Sequence, residues 1–136
     1  MHKRDYLVKQ FEEFGKVMAV LLGLKRDRSF PDILSTIEEA SKKYTSTEIN
    51  FVETIENENL IDVLISQNKL NDEQMKILAD LLYEKADYYL NQSLDLEATN
   101  CYQKTYSIYL FLKEHATLTY SLDMHYKIEL LSKMEL

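Results

Sequence analysis

Apolar residues recur along most of the chain three and four positions apart, the spacing of one face of an α-helix. From Lys3 to Leu24 the face is Leu7, Phe11, Phe14, Met18, Leu21 and Leu22, with Asp5, Glu12, Glu13 and Lys16 elsewhere. Val8, Val17 and Val20 widen the apolar arc, which predicts a helix central in a bundle or shared with another subunit. Gly15 sits mid-helix, at a cost of ~1 kcal/mol against alanine. Lys25-Arg26-Asp27-Arg28 reads as a solvated linker. Ser29 ahead of Pro31-Asp32 opens a second helix, to about Tyr44, with Ile33, Leu34, Ile37, Ala40 and Ser41 inward.

Thr45-x-x-Glu48 fits a capping box and predicts a third helix from near Ser46, burying Ile49, Val52, Ile55 and Phe51. Asn57-Glu58-Asn59 breaks it, and a short helix follows through Leu60, Ile61, Leu64 and Ile65. Asn71-x-x-Gln74 starts the next helix. The last helix, about Ala116 to Lys133, carries two apolar stripes. One is Tyr120, Met124, Ile128 and Leu131; the other is Leu118, Leu122, Tyr126 and Leu130. Two stripes predict packing on two neighbours.

The stretch from Ala79 to Leu112 organises the rest. Leu78, Leu81, Leu82, Ala86, Tyr89 and Leu90 keep helical spacing, with Lys85 the polar exception, until Asn91-Gln92-Ser93 breaks it. Ala98, Cys101, Tyr102, Thr105, Tyr106, Ile108, Tyr109 and Leu112 then define a second helix, with Asp95 and Glu97 favoured in its first turn. So short a connection makes the two helices antiparallel neighbours.

This hairpin resembles a single tetratricopeptide-type repeat. Leu82, Ala86 and Tyr89 take the large, small and aromatic places of the first helix, and Ala98, Tyr102 and Thr105 those of the second. Lys85 stands at a usually apolar place, Ser93 replaces the turn glycine, and Leu110 replaces the closing proline. The opening Asp5-Tyr6-Leu7 and the ending Leu21-Leu22-Gly23-Leu24-Lys25 are similar to a family of small bacterial helical proteins with no established activity. That resemblance implies a bacterial cytoplasmic protein and gives no residue a catalytic role. The expected fold is all-α: a bundle of about five to six helices with a C-terminal repeat-like helix–turn–helix and a capping last helix. It forms one domain over 1–136, with N-terminal helices in 1–70 and the hairpin plus capping helix in 71–136.

Composition narrows the class. Two glycines and one proline in 136 residues argue against a sheet protein rich in tight turns, and cannot build a phosphate-cradling loop. A net charge of -7 argues against nucleic acid as partner. The apolar run Val17–Leu24 falls short of the ~20 residues that cross a bilayer, so no membrane is expected and the localisation is read as cytoplasmic. Cys101 is alone and demands no oxidising compartment.

Chemistry-bearing constellations are few. His125 and Glu129 lie one helical turn apart, but no paired Glu-x-x-His accompanies them, and they read as surface residues. Cys101 reads as a small buried residue. Glu53, Glu56, Glu58 and Asp62 form an acidic group that reads as a solvated face. Eight of the ten tyrosines lie between Tyr83 and Tyr126. Tyr89, Tyr102 and Tyr106 are assigned to the helix seam, and Tyr83, Tyr88, Tyr109 and Tyr120 to a partner-binding surface.

These readings converge on a non-enzymatic protein–protein interaction module with no catalytic residue, no cofactor and no metal. The partner is a protein or peptide. The alternatives are a structural homo-oligomer organised by the first helix, through Met18 or Leu21, and a metal- or ligand-binding bundle enzyme built on His125 and Glu129. On the leading reading, Tyr83 and Tyr109 changed together to alanine weaken partner capture and leave helicity intact.

Overall fold

A computed structural model describes the backbone of residues 3–116 and 121–136, and the side chains of these residues except 3–8 and 11. Leu7, Val8, Phe11, Leu118 and Tyr120, given roles above, therefore lie outside the described side chains. Among the described residues the fold is all-α. Its elements are α1 (Lys3–Arg26), α2 (Phe30–Thr45), α3 (Ile49–Thr54), a 3-10 turn (Asn57–Asn59), α4 (Leu60–Ser66), α5 (Asp72–Asn91), α6 (Asp95–His115) and α7 (Leu122–Ser132).

Helix α5 is the axis of the bundle. Its start is set by the capping box, in which Asn71 Oδ1 accepts from the Gln74 N–H at 2.8 Å and Gln74 Oε1 accepts from the Asn71 N–H at 3.0 Å. From Met75 to Ala86 every residue except the half-buried Lys76 and Tyr83 is buried, so this stretch of α5 is enclosed on most sides. Helix α6 folds back along it, α2 packs on it from another side, α1 covers α2, and α7 covers α6. The short helices α3 and α4 close over α6. Val52, Leu60 and Leu64 are fully buried under that cover.

Several boundaries differ from expectation. Lys25 and Arg26 belong to α1, and Lys25 is half-buried in ion pairs, so the charged run is no solvated linker. Thr45 lies inside α2, where its hydroxyl donates to the Ser41 carbonyl at 2.6 Å. Glu48, not Thr45, precedes α3, and no side chain caps it. Phe51 falls outside the buried face at 45% exposure. Helix α7 begins after Ser121, whose hydroxyl accepts from the Met124 N–H at 3.2 Å. Of its two stripes, Met124, Ile128 and Leu131 are buried, whereas Leu122 and Tyr126 face solvent. Helix α6 is the main support of α7, and Lys127 reaches from α7 to Asp80 and Tyr83 of α5.

Both glycines lie inside α1, so other residues must supply the left-handed turns that stop helices. Arg28, Ser46, Lys69 and Ser93 do so, with φ of 57°, 51°, 57° and 59°. Ser93 occupies the α5–α6 turn where the hairpin pattern asks for glycine. A Cβ strains this conformation, and glycine relieves it at some cost in unfolded-chain entropy. Ser93→Gly is therefore expected to raise the unfolding free energy by ~0.5–1 kcal/mol in urea titrations. A neutral or destabilising result would show that the serine side chain holds the turn in some other way.

Candidate functional site: a cleft over the charged face of α5

Burying a helix that carries Asp80, Glu84, Lys85 and Asp87 requires a counter-group for each charge. The partners come from four other helices. Asp80 accepts from the Tyr109 hydroxyl of α6 and from Lys76 Nζ at 2.9 Å, with Lys127 Nζ of α7 at 4.0 Å. Lys127 also pairs with Asp123 at 3.4 Å and stands 4.9 Å from the centroid of the Tyr83 ring. Lys25 of α1 bridges Glu84 at 2.9 Å and Asp87 at 3.1 Å, while the Tyr102 hydroxyl donates to Asp87.

On the opposite flank, Lys85 donates to Glu53 of α3 and to Asn50. Glu53 Oε1 also accepts from the Tyr89 hydroxyl at 2.6 Å and the Cys101 thiol at 3.4 Å. Lys104 extends this group to Asn57 Oδ1 at 2.7 Å and Asn100 Oδ1 at 3.0 Å. No buried side-chain nitrogen or oxygen among the described residues lacks a partner.

Burial sets the acid–base character of these groups. It raises the phenols of Tyr109 and Tyr102 well above their ordinary range, and the facing carboxylates Asp80 and Asp87 raise them further. Burial, and next the Glu53 charge, hold the Cys101 thiol protonated and unreactive. Burial alone would lower the Lys25 ammonium, but its bonds to Glu84 and Asp87 together outweigh it, and its pKa is raised. Lys104 is lowered, chiefly by burial.

Between α1 and α7, above this charged floor, lies a cleft of about 450 Å³. Phe14, Gly15, Met18 and Leu22 of α1 form its apolar wall. Lys76, Asp80 and Glu84 form the floor, and Asp123 and Lys127 of α7 the other side. Leu122 at 84% and Tyr126 at 62% exposure stand on α7, and Leu22 at 63% on α1.

The four tyrosines assigned to a partner surface do not share one. Tyr109 is fully buried, because its hydroxyl is the inward partner of Asp80; its assignment to the surface is corrected. Tyr83 is half-buried edge-on against Tyr102, and Tyr88 half-buried against Phe30 and Tyr89. Tyr120 lies outside the described residues. Of the seam tyrosines, Tyr102 is buried and Tyr89 and Tyr106 half-buried. Glu53 leaves the acidic surface group, since it turns inward to Lys85. His125 and Glu129 form an exposed pair at 3.2 Å, and among the described residues no group of three or more His, Cys, Asp or Glu is placed to hold a metal ion. Leu122 and Tyr126, which the second stripe of α7 was expected to pack against a neighbour, stand exposed instead.

No protein-family model, curated protein or solved structure matches the chain. Among the described residues no helix is long and apolar enough to cross a membrane.

Two outcomes are expected. Lys85→Met strands Glu53 in a largely buried site and should lower the unfolding free energy by ~3–5 kcal/mol in urea; a loss under ~1 kcal/mol would mean the pair is not buried as described. The second concerns alkaline pH. The folded pKa values of Tyr102 and Tyr109 lie above their unfolded value near 10, so the unfolded chain loses those protons first. The stability they confer is fully present below about pH 10 and lost above it, at ~1.4 kcal/mol per pH unit for each tyrosine. Phenolate absorbance of these two residues should rise together with loss of helicity. Full tyrosine ionisation in a still-helical protein would contradict the assignment.

Proposed function

We propose that this chain is a non-enzymatic protein–protein interaction module, and that its docking surface is the rim of the α1–α5–α7 cleft. The observation that carries this reading is the contrast between floor and rim. Below, each buried charge is already bonded to another side chain of the same chain. Above, Leu22 is exposed on the α1 wall of the concave channel, and Leu122 and Tyr126 are exposed on α7, the helix that supplies its other wall through Asp123 and Lys127.

Apolar side chains flanking a groove between two helices suit an amphipathic helix of a partner, read through residues one turn apart. Tyrosine and leucine anchors at such a place contribute most of the binding free energy, and surrounding polar residues exclude water. The α5–α6 hairpin is proposed as a repeat-like unit whose own aromatic faces are spent internally. The binding surface accordingly belongs to the two outer helices rather than to the hairpin.

The reading is tested with tagged protein purified gently from its own host and analysed by native mass spectrometry. Tyr126→Asp and Leu122→Asp should each weaken retention of a co-purifying polypeptide by about 10-fold or more, with far-ultraviolet circular dichroism unchanged. Phe51→Asp, on a remote exposed site, should leave retention intact. Equal retention by all three variants would remove the cleft rim from the interface.

A further inference from the structure

Helix α1 has two sides with different fates. Phe14 and Leu21 are buried, and Val17, Met18 and Leu24 pack against the same core. The opposite side, from Glu12 to Arg26, faces solvent, with Val20 at 54% and Leu22 at 63% exposure and Ala19 between them. Of the charges on that side, Glu12 and Arg26 are placed symmetrically about Ala19, with the exposed Lys16 beside their line. Glu12 lies seven residues before Ala19 and Arg26 seven after, so all three fall on one line two turns apart. Both charged residues are exposed, and Arg26 has only a loose 3.5 Å approach to the adjacent Asp27.

A line with a negative end, an apolar middle and a positive end is complementary to itself when reversed. A parallel mate would set Glu12 against Glu12 and Arg26 against Arg26. An antiparallel mate, related by a two-fold axis at Ala19, sets each Glu12 against the partner's Arg26. That register also carries Leu22 between the partner's Gly15 and Met18. A Cβ built on Gly15 meets nothing within 4 Å in the single chain, so the space above it is open to receive a side chain.

We propose that a second copy of this chain covers the solvent side of α1, the two α1 helices running antiparallel about Ala19 with Leu22 seated over the partner's Gly15 and Glu12 paired with the partner's Arg26. Charge complementarity selects the occupant, and the exposed Val20 and Leu22 supply the apolar area it buries. Gly15, Met18 and Leu22 are also the α1 wall of the cleft, so a second copy seated there would take the place of a partner on that wall; Leu122 and Tyr126 of α7 lie off the dimer line, and their variants test the docking reading separately. The antiparallel arrangement also moves the contact away from Leu21, which is buried within the chain and whose replacement by a charged residue would unfold the helix bundle instead of separating two copies.

Sedimentation velocity on the full chain over a concentration series tests the proposal. The unmodified chain should be a dimer that loosens with added salt. Gly15→Leu fills the open space with no clash inside the chain, and should give a helical monomer. Glu12→Arg should weaken the dimer about 10-fold or more, and Glu12→Arg with Arg26→Glu should restore it, because the reversed pairs meet again only in the antiparallel register. Tyr126→Asp should leave the dimer unchanged. A monomer at the highest concentration, a dimer indifferent to Gly15→Leu, or a double variant no tighter than Glu12→Arg alone would each overturn the arrangement.

Discussion

Burying most of α5 while it carries Asp80, Glu84, Lys85 and the half-buried Asp87 is the constraint from which the rest of the arrangement follows. An ion taken out of water is destabilising by several kcal/mol unless a partner meets it with good geometry. The partners arrive from separate elements: Lys25 from α1, Glu53 from α3, Tyr102 and Tyr109 from α6, and Lys127 from α7. Each of these four helices thus meets α5 through at least one polar contact. A helix docked in a different register would leave a buried charge alone. These pairs select one packing more than they add net stability, since apolar residues of similar volume can serve a core as well.

The same constraint separates structural chemistry from surface available to others. Asp80, Glu84, Lys85, Tyr102, Lys104 and Tyr109 of the hairpin are turned inward and bonded to other side chains of the chain. Exposed apolar surface is left on the outer helices α1 and α7, and also at the hairpin turn on Leu90, Leu94 and Leu96. Leu22 and Val20 on α1 and Leu122 and Tyr126 on α7 give the protein two sticky margins around a satisfied centre. An interaction module needs that division: a rigid polar interior, and apolar anchors that remain solvated until a partner covers them.

Much of this was legible along the chain. Helical spacing located α1, α2, α5 and α6 to within about two residues. The break at Asn91-Gln92-Ser93 and the capping box at Asn71 and Gln74 fell where expected, because both depend on neighbours in sequence. Thr45 misled because its hydroxyl donates to the Ser41 carbonyl one turn earlier instead of accepting from the amides of a helix still to come. Tyr109 misled more deeply. Periodicity places a tyrosine on a face, but whether the ring is an anchor or a buried donor depends on an Asp twenty-nine residues away.

What the sequence by itself determined is the local grammar: helices without strands, their hairpin order, and the apolar side of each. Hydrogen bonds within a turn and the 3.6-residue period are enough for that. Which charges would be buried was decided only by the tertiary structure. Lys85 looked like a blemish in an apolar stripe and Lys25 like part of a linker, yet each closes an ion pair across the bundle, to Glu53 and to Glu84 and Asp87. Desolvation and charge pairing act through space, and the distance that matters to them is the few ångströms left after the helices have packed.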